Sequence, residues 1–465
     1  MLITSREILN DLWHHVGLAP VADGAIALTG AEPAMPSSFR IGAAAQASIG
    51  AVTLAAAEIW RRRTGRAQPA SVAMQHAAVE FHSGGYLLVD GAAPPDPWDA
   101  IAGAYLCGDG RWVRVHTNFP HHRDGILKLL NCANDRAAVA AGLLTWQAER
   151  FETAATEAGL VVAAIRSFAE WDAHPHAAFI AAAPTIMLER IGDAPPTPLP
   201  PAGPRPLSGI RALDLTRVLA GPVCGRVLAA HGADVLRITA AHLPALGHGE
   251  IDVGRGKLQA ALDLRTEADG NQLRHLIEGA DIFTQGYRPG TIAARGFGPE
   301  AVAAIKPGIV CVSLSAYGWT GPWAGKRGFD SLVQAATGIN LAEADAAGTP
   351  GKPRPLPCQA IDHTTGYFLA LGALAGLLRR AEEGGSWHVR VSLAGTGHWL
   401  RGLGRLPDGL AGSIPTAAEI GDLLFKTPSD FGELTALRHA GQLSETPPLH
   451  ARPAAHLGRH PAEWP

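Results

Sequence analysis

Beyond residue 207 the chain alternates short apolar runs with stretches of helical spacing. The run at 210–215 (IRALDL) is followed by a Gly221-Pro222 turn, helical spacing over 223–231 and a second apolar run at 233–238 (ADVLRI). A strand, a helix and a strand in that order make a βαβ unit. The same grammar continues with a helix over 267–279, a strand over 281–284, a helix over 299–304 and a strand over 308–314 (GIVCVSL). The pattern predicts an α/β fold whose larger part is an open, doubly wound, Rossmann-like parallel sheet with helices on both faces. Ligands of such sheets sit at the carboxyl ends of the strands, here the loops 216–222, 286–290 and 315–330. No GxGxxG follows the first strand, which argues against a nicotinamide dehydrogenase. Upstream, 43–64 reads as a long alanine-rich helix that ends in Arg61, Arg62, Arg63 and Gly65, as helix C-termini prefer. A strand over 112–116 and helices over 136–141, 146–158 and 168–179 predict a smaller α+β unit.

The proline-rich stretch 195–206 (PPTPLPPAGPRP) breaks the periodicity on both sides and reads as a linker. It divides the chain into a first part (1–194), a sheet-forming part (207–400) and a weakly patterned tail (401–465) suited to wrapping a neighbour. The segments 49–81 and 365–400 share one grammar of glycine, apolar helix, paired arginines, turn, strand and second helix, which predicts an internal repeat.

At 465 residues, with 47% hydrophobic and 17% charged positions, the chain is globular in composition and long enough for two to four domains. A net charge of −3 without a basic run excludes the electrostatic footprint of a nucleic-acid binder. Five scattered cysteines without a CxxC fit a reducing compartment, so a cytoplasmic location is expected. Arg6, Glu7, Asn10 and Asp11 interrupt the apolar core a signal peptide requires, and the apolar run 367–378 is short for a bilayer span. No membrane association is expected.

Four ordered blocks then carry a resemblance: LSGIRALDLTRVLAGPVCGRVLAAHGADVLRI (207–238), RGKLQAALDLRT (255–266), ADIFTQGYRPG (280–290) and SLSAYGWTGPWAGKRGFDSLVQAATG (313–338). Together with the segment around Asp362, the sequence resembles the class III CoA-transferases, which include formyl-CoA transferase, carnitine CoA-transferase and alpha-methylacyl-CoA racemase. Residues 40–195 resemble the family's second half, so the order of parts is rearranged. The resemblance implies CoA exchange between an acyl-CoA and a carboxylic acid, with CoA as substrate and no resident cofactor or metal. It also implies an interlocked homodimer.

Asp362 and Gly366, in CQAIDHTTG, match the family's D-x-x-x-G, which implies that Asp362 is the nucleophile; as a plain sequence feature, an aspartate there would serve as a helix N-cap. Aligning Gly50 with Gly366 sets Gln46 opposite Asp362, and glutamine cannot perform that attack. By the same resemblance the CoA-binding positions are Leu219 and Ala220; Leu262, Asp263, Leu264 and Arg265; Gly286, Tyr287 and Arg288; and Arg327 with Asp330. Arginines at 265, 288 and 327 suit the CoA phosphates, and the Tyr287 ring suits adenine. Thr239 stands where the family often has glutamate, and Ala294 where it has arginine, with Arg295 one position later. Phe329 replaces the histidine of the racemases, which ranks an isomerase, racemase or dehydratase below a transferase. A silent CoA-binding subunit is a further reading, motivated by Gln46 and the lost arginine. His116, His121 and His122 lack a recognisable metal-ligand spacing and read as a polar loop, and Cys224 and Cys311 read as packing residues.

Overall fold

The structure is a computed structural model that describes residues 2–22 and 24–465, with every side chain among them except that of His248. Its main sheet has seven strands in the order Lys257–Ala261, Asp234–Thr239, Arg211–Leu215, Ile282–Gln285, Val310–Ser315, Ser386–Ser392 and Met187–Gly192. The first six are parallel and the seventh is antiparallel. The fold is therefore mixed α/β, with a mostly parallel sheet. The spatial order reverses between Arg211–Leu215 and Ile282–Gln285.

Two helices of 24 residues, Ile41–Thr64 and Ala360–Glu383, pack against each other through the centre of the molecule. Each is apolar around most of its circumference, the composition of a helix enclosed by other elements. The first has the length and hydropathy of a bilayer span, yet 94% of its apolar window is buried inside the fold. It stops where expected, with Gly65 at φ 74° and its N–H donating to the Arg61 carbonyl. The second helix crosses Ala220–Ala230 so closely that a Cβ on Gly366 would lie 2.7 Å from the Ala220 carbonyl oxygen. Only glycine fits there.

Each central helix leads into a strand that has a parallel neighbour, the first in a separate three-stranded sheet and the second in the main sheet. Ala70–Ala73 follows the first helix and pairs with Ile26–Thr29; Ser386–Ser392 follows the second and pairs with Val310–Ser315. Each of these strands is also paired with an antiparallel strand from the other side of the proline-rich stretch. Gln442–Leu443 joins Ala70–Ala73, and Met187–Gly192 joins Ser386–Ser392. The proline-rich stretch thus separates two sequence regions whose strands are exchanged.

The smaller unit upstream is an antiparallel sheet of Gly103–Leu106, Trp112–Val115 and Val162–Ala164. Helices Pro120–Leu130, Arg136–Leu143 and Ala148–Glu157 cover it around a separate core that contains Val113, Val115, Ile126 and Phe151. The single helix expected over 168–179 is two, Phe168–Asp172 and Ala177–Ala182. Pro175 between them has no N–H to continue the first. The tail forms the hairpin Leu424–Ser429 with Gly432–Leu437 and then runs along Lys257–Ala261, the edge strand of the main sheet. There His460 N–H donates to the Gln259 carbonyl at 2.8 Å, and the Trp464 indole N–H donates to the Leu276 carbonyl at 2.9 Å. Such pairing covers an edge that would otherwise be open to another chain.

Candidate active site

Asp362 lies in the first turn of the Ala360–Glu383 helix and is 7% exposed. It is not the cap, because Gln359 occupies that position without a side-chain hydrogen bond. A second carboxylate serves the helix end instead. Asp330 Oδ2 accepts the backbone N–H of Asp362 at 2.9 Å, and the Ile361 N–H is also directed to this carboxylate. The other oxygen, Oδ1, accepts from the Gln334 amide, whose own oxygen accepts from Leu356 N–H at 2.9 Å and Asn340 Nδ2 at 3.1 Å. Asp330 is thereby fixed. The Asp362 carboxylate has no hydrogen bond or ion pair among the described residues. Burial, and then the neighbouring Asp330, push its pKa well above the usual carboxylate range.

The smaller unit closes over this pair from the first part of the chain. Buried Glu152 accepts from Arg166 Nη2 at 2.5 Å and from Lys326 Nζ at 2.6 Å, which ties the unit to the loop before Asp330. Next to Asp330, the Phe329 ring stacks on His116 with centroids 4.1 Å apart. His122 Nε2 lies 3.3 Å from Arg327 Nη1. Burial pushes His116 and His122 down to about 3, so both are neutral at pH 7.

The positions expected to bind CoA lie at the carboxyl ends of the parallel strands. Leu219 precedes the Ala220–Ala230 helix, and Ala220 opens it, directly after the first strand. Gly286, Tyr287 and Arg288 follow Ile282–Gln285, with Tyr287 N–H donating to Gln285 Oε1 at 2.9 Å. Arg288 is exposed. Leu262 is buried in the sheet's apolar cluster, with Leu264 packed against its rim. Asp263 and Arg265 pair with each other at 2.6 Å, so the guanidinium already has an anion. Arg295 Nη1 donates to the Leu264 carbonyl at 2.9 Å and joins the third and fourth strand-end loops. Cys224 and Cys311 are buried, and burial pushes both thiols up, away from nucleophilic use.

Two arginines at this site were not singled out by sequence. Arg217, in the first strand-end loop, donates to the Pro244 carbonyl and lies over the Phe119 ring at 5.4 Å, bridging the sheet to the smaller unit. Arg114 comes from the smaller unit itself. A signal for Arg217 existed in its place after the first strand; none existed for Arg114, more than 200 residues from Asp330.

The sequence profile described as CoA-transferase family III matches residues 207–404. An acetyl-coenzyme A transferase, nodX, of Hypoxylon pulicicidum is 36% identical over 211 residues, 44% of this chain and 35% of that protein. A probable fatty acyl-CoA transferase of Mycobacterium tuberculosis, Rv3272, is 33% identical over 210 residues, 42% of this chain and 52% of that protein. A succinyl-CoA–D-citramalate CoA-transferase of Chloroflexus aurantiacus is 33% identical over 206 residues, 41% of this chain and 50% of that protein. The chain thus spans about a third to a half of the length of these relatives. Residues 207–404 are thus similar to CoA-transferase family III.

Proposed function

We propose that the protein moves CoA between an acyl-CoA and a carboxylic acid, with Asp362 as nucleophile. The observation that carries this reading is the Asp362 carboxylate: buried, unpaired, beside a second carboxylate and at the start of a long helix. An anion in that setting is poorly stabilised and therefore reactive. A carboxylate oxygen attacks the thioester carbonyl, the C–S bond breaks, and CoA leaves as thiolate from a mixed anhydride. The thiolate then attacks the Asp362 carbonyl carbon, forming an aspartyl-CoA thioester and releasing the donor acid. The acceptor acid's carboxylate attacks that thioester, and returning thiolate takes the new acyl group, which regenerates Asp362. N–H groups at the helix start favour the negative charge that develops.

The strand order 3-2-1-4-5-6 supports a doubly wound, Rossmann-like reading of the sheet, with CoA lying across the reversal between its first and fourth strands. The matched strand, helix and strand around each central helix support an internal repeat. The resemblance implies an interlocked homodimer, for which light scattering is expected to give a dimeric mass; a monomeric mass excludes it. Five free cysteines are in keeping with a cytoplasmic setting. The test is a screen of acyl-CoA donors against carboxylic acids, read by product mass, for the wild type and Asp362→Ala. Transfer by the wild type and none by the variant is expected. Full transfer by the variant contradicts the mechanism.

A further inference from the structure

A row of polar side chains crosses the main sheet on a face that is otherwise apolar. Gln285, Ser313 and His388 come from three adjacent parallel strands, Ile282–Gln285, Val310–Ser315 and Ser386–Ser392. Ser313 is the register partner of Gln285, and His388 stands two residues before Arg390, the partner of Ser313 on the other side. Side chains two apart on a strand share a face, so all three lie on the face whose apolar cluster holds Leu213, Phe283 and Cys311. All three are buried. Apolar side chains would be favoured there, because buried polar groups cost free energy unless they are hydrogen-bonded.

The hydrogen bonds of the row have one direction. The Tyr287 backbone N–H can only donate, and Gln285 Oε1 accepts it at 2.9 Å. The Gln285 amide therefore turns its Nε2 to Ser313 Oγ, which accepts at 2.9 Å. The Ser313 hydroxyl is then the donor to His388 Nε2, 2.9 Å away, which accepts as a neutral ring. Burial, and then Arg390, push His388 down to about 4, so the ring is neutral at pH 7. The chain of bonds thus runs from the strand Ser386–Ser392 to the backbone of the strand-end loop 286–290. Its last bond spans Gly286 and fixes where the Tyr287 backbone leaves the sheet.

We infer that His388, Ser313 and Gln285 are positioning residues for CoA, holding the turn at Gly286 and Tyr287 in the conformation that receives the ligand. They act through the Tyr287 backbone. The inference rests on the reading of that loop as CoA-binding.

The test titrates CoA itself into the full chain by calorimetry and measures kcat and KM for an acyl-CoA. The variants are Ser313→Ala, Ser313→Thr, His388→Phe and the double variant of Ser313→Ala with His388→Phe. Ser313→Ala interrupts the chain of bonds and is expected to weaken CoA binding and raise KM by about tenfold, with kcat within about twofold of the wild type. Ser313→Thr keeps the hydroxyl and restores binding. His388→Phe removes the terminal acceptor and weakens binding too, and it adds no further loss to Ser313→Ala, because the two act in one chain. His388→Phe carries the test if Ser313→Ala does not fold. CoA binding that depends on Ser313 without any transfer supports the inference while overturning the transferase reading. No CoA binding by the wild type overturns both. Wild-type affinity in either single variant, additive losses in the double variant, or a loss confined to kcat overturns the inference alone.

Discussion

The helices Ile41–Thr64 and Ala360–Glu383 have the same length, are both rich in small residues and both descend into a strand with a parallel neighbour; aligning Gly50 with Gly366 sets Gln46 of the first opposite Asp362 of the second. Gln46 in the first is fully used as a donor, with Nε2 at 2.9 Å from both the Thr29 and the Val72 carbonyls. It closes the strand pair Ile26–Thr29 and Ala70–Ala73 from below. Asp362 in the second is an acceptor without donors, set against another acceptor. The same scaffold thus carries one side chain whose hydrogen bonds favour the fold and one whose isolation disfavours it. Isolation of a polar group at a chosen place is a feature of functional sites.

The sharpest way to break this comparison is to exchange the roles. Asp362→Asn should lower CoA transfer by about 10³-fold or more while the chain stays folded; the measurement is product formation, with thermal melting as control. A smaller difference separates the matched glycines. A Cβ at 366 meets the Ala220 carbonyl oxygen and Val223, whereas at 50 it meets the flexible ends of Leu9 and Ile26. Gly366→Ala is therefore expected to destabilise by about 3 kcal/mol and Gly50→Ala by less than about 1 kcal/mol in urea unfolding, since only the second neighbour set can yield. Equal losses would remove the argument for a tight crossing at the site.

Gln46→Ala removes a donor from two carbonyls, one buried and one part-buried, and should destabilise by about 2 kcal/mol, with transfer activity preserved. A loss of transfer without a loss of stability would assign Gln46 to the chemistry. The gentlest test is pH. Since the folded state holds the Asp362 pKa above its unfolded value, the carboxylate form becomes available only as pH rises. Transfer should therefore increase with pH, by about tenfold per unit until Asp362 is ionised. The same raised pKa gives stability that is present below the unfolded carboxyl pKa and is lost as pH rises through the folded one. Asp362→Asn abolishes that loss, so its melting temperature should exceed the wild type's by more at pH 8 than at pH 5.

The parallel sheet is legible in the sequence because its central strands are apolar runs between helical patterns. Lys257–Ala261 is not, since its residues KLQAA carry neither alternation nor a β-branched run, and it becomes a strand by pairing with Asp234–Thr239. Met187–Gly192, half-exposed and mixed in polarity, gives no hint that it completes the edge of a sheet formed by residues 211–392. Strand exchange is a non-local property that periodicity does not report. Asp362 was legible through the resemblance alone, because a lone aspartate before an apolar helix reads equally well as a cap. What surrounds it, the Asp330 carboxylate across the helix end and the Arg114 face of the smaller unit, is assembled by folding from a helix start 32 residues upstream and a strand more than 200 residues upstream.

The central claim is that one of the two matched helices carries a covalent centre and the other does not. Mass spectrometry of the protein after brief incubation with an acyl-CoA, followed by peptide mapping, addresses it directly. The account predicts a gain of one CoA less one water per chain, located on the peptide that contains Asp362, absent from the peptide that contains Gln46 and abolished in Asp362→Asn. Transfer that proceeds in Asp362→Asn, or an adduct that maps to another residue, would contradict it.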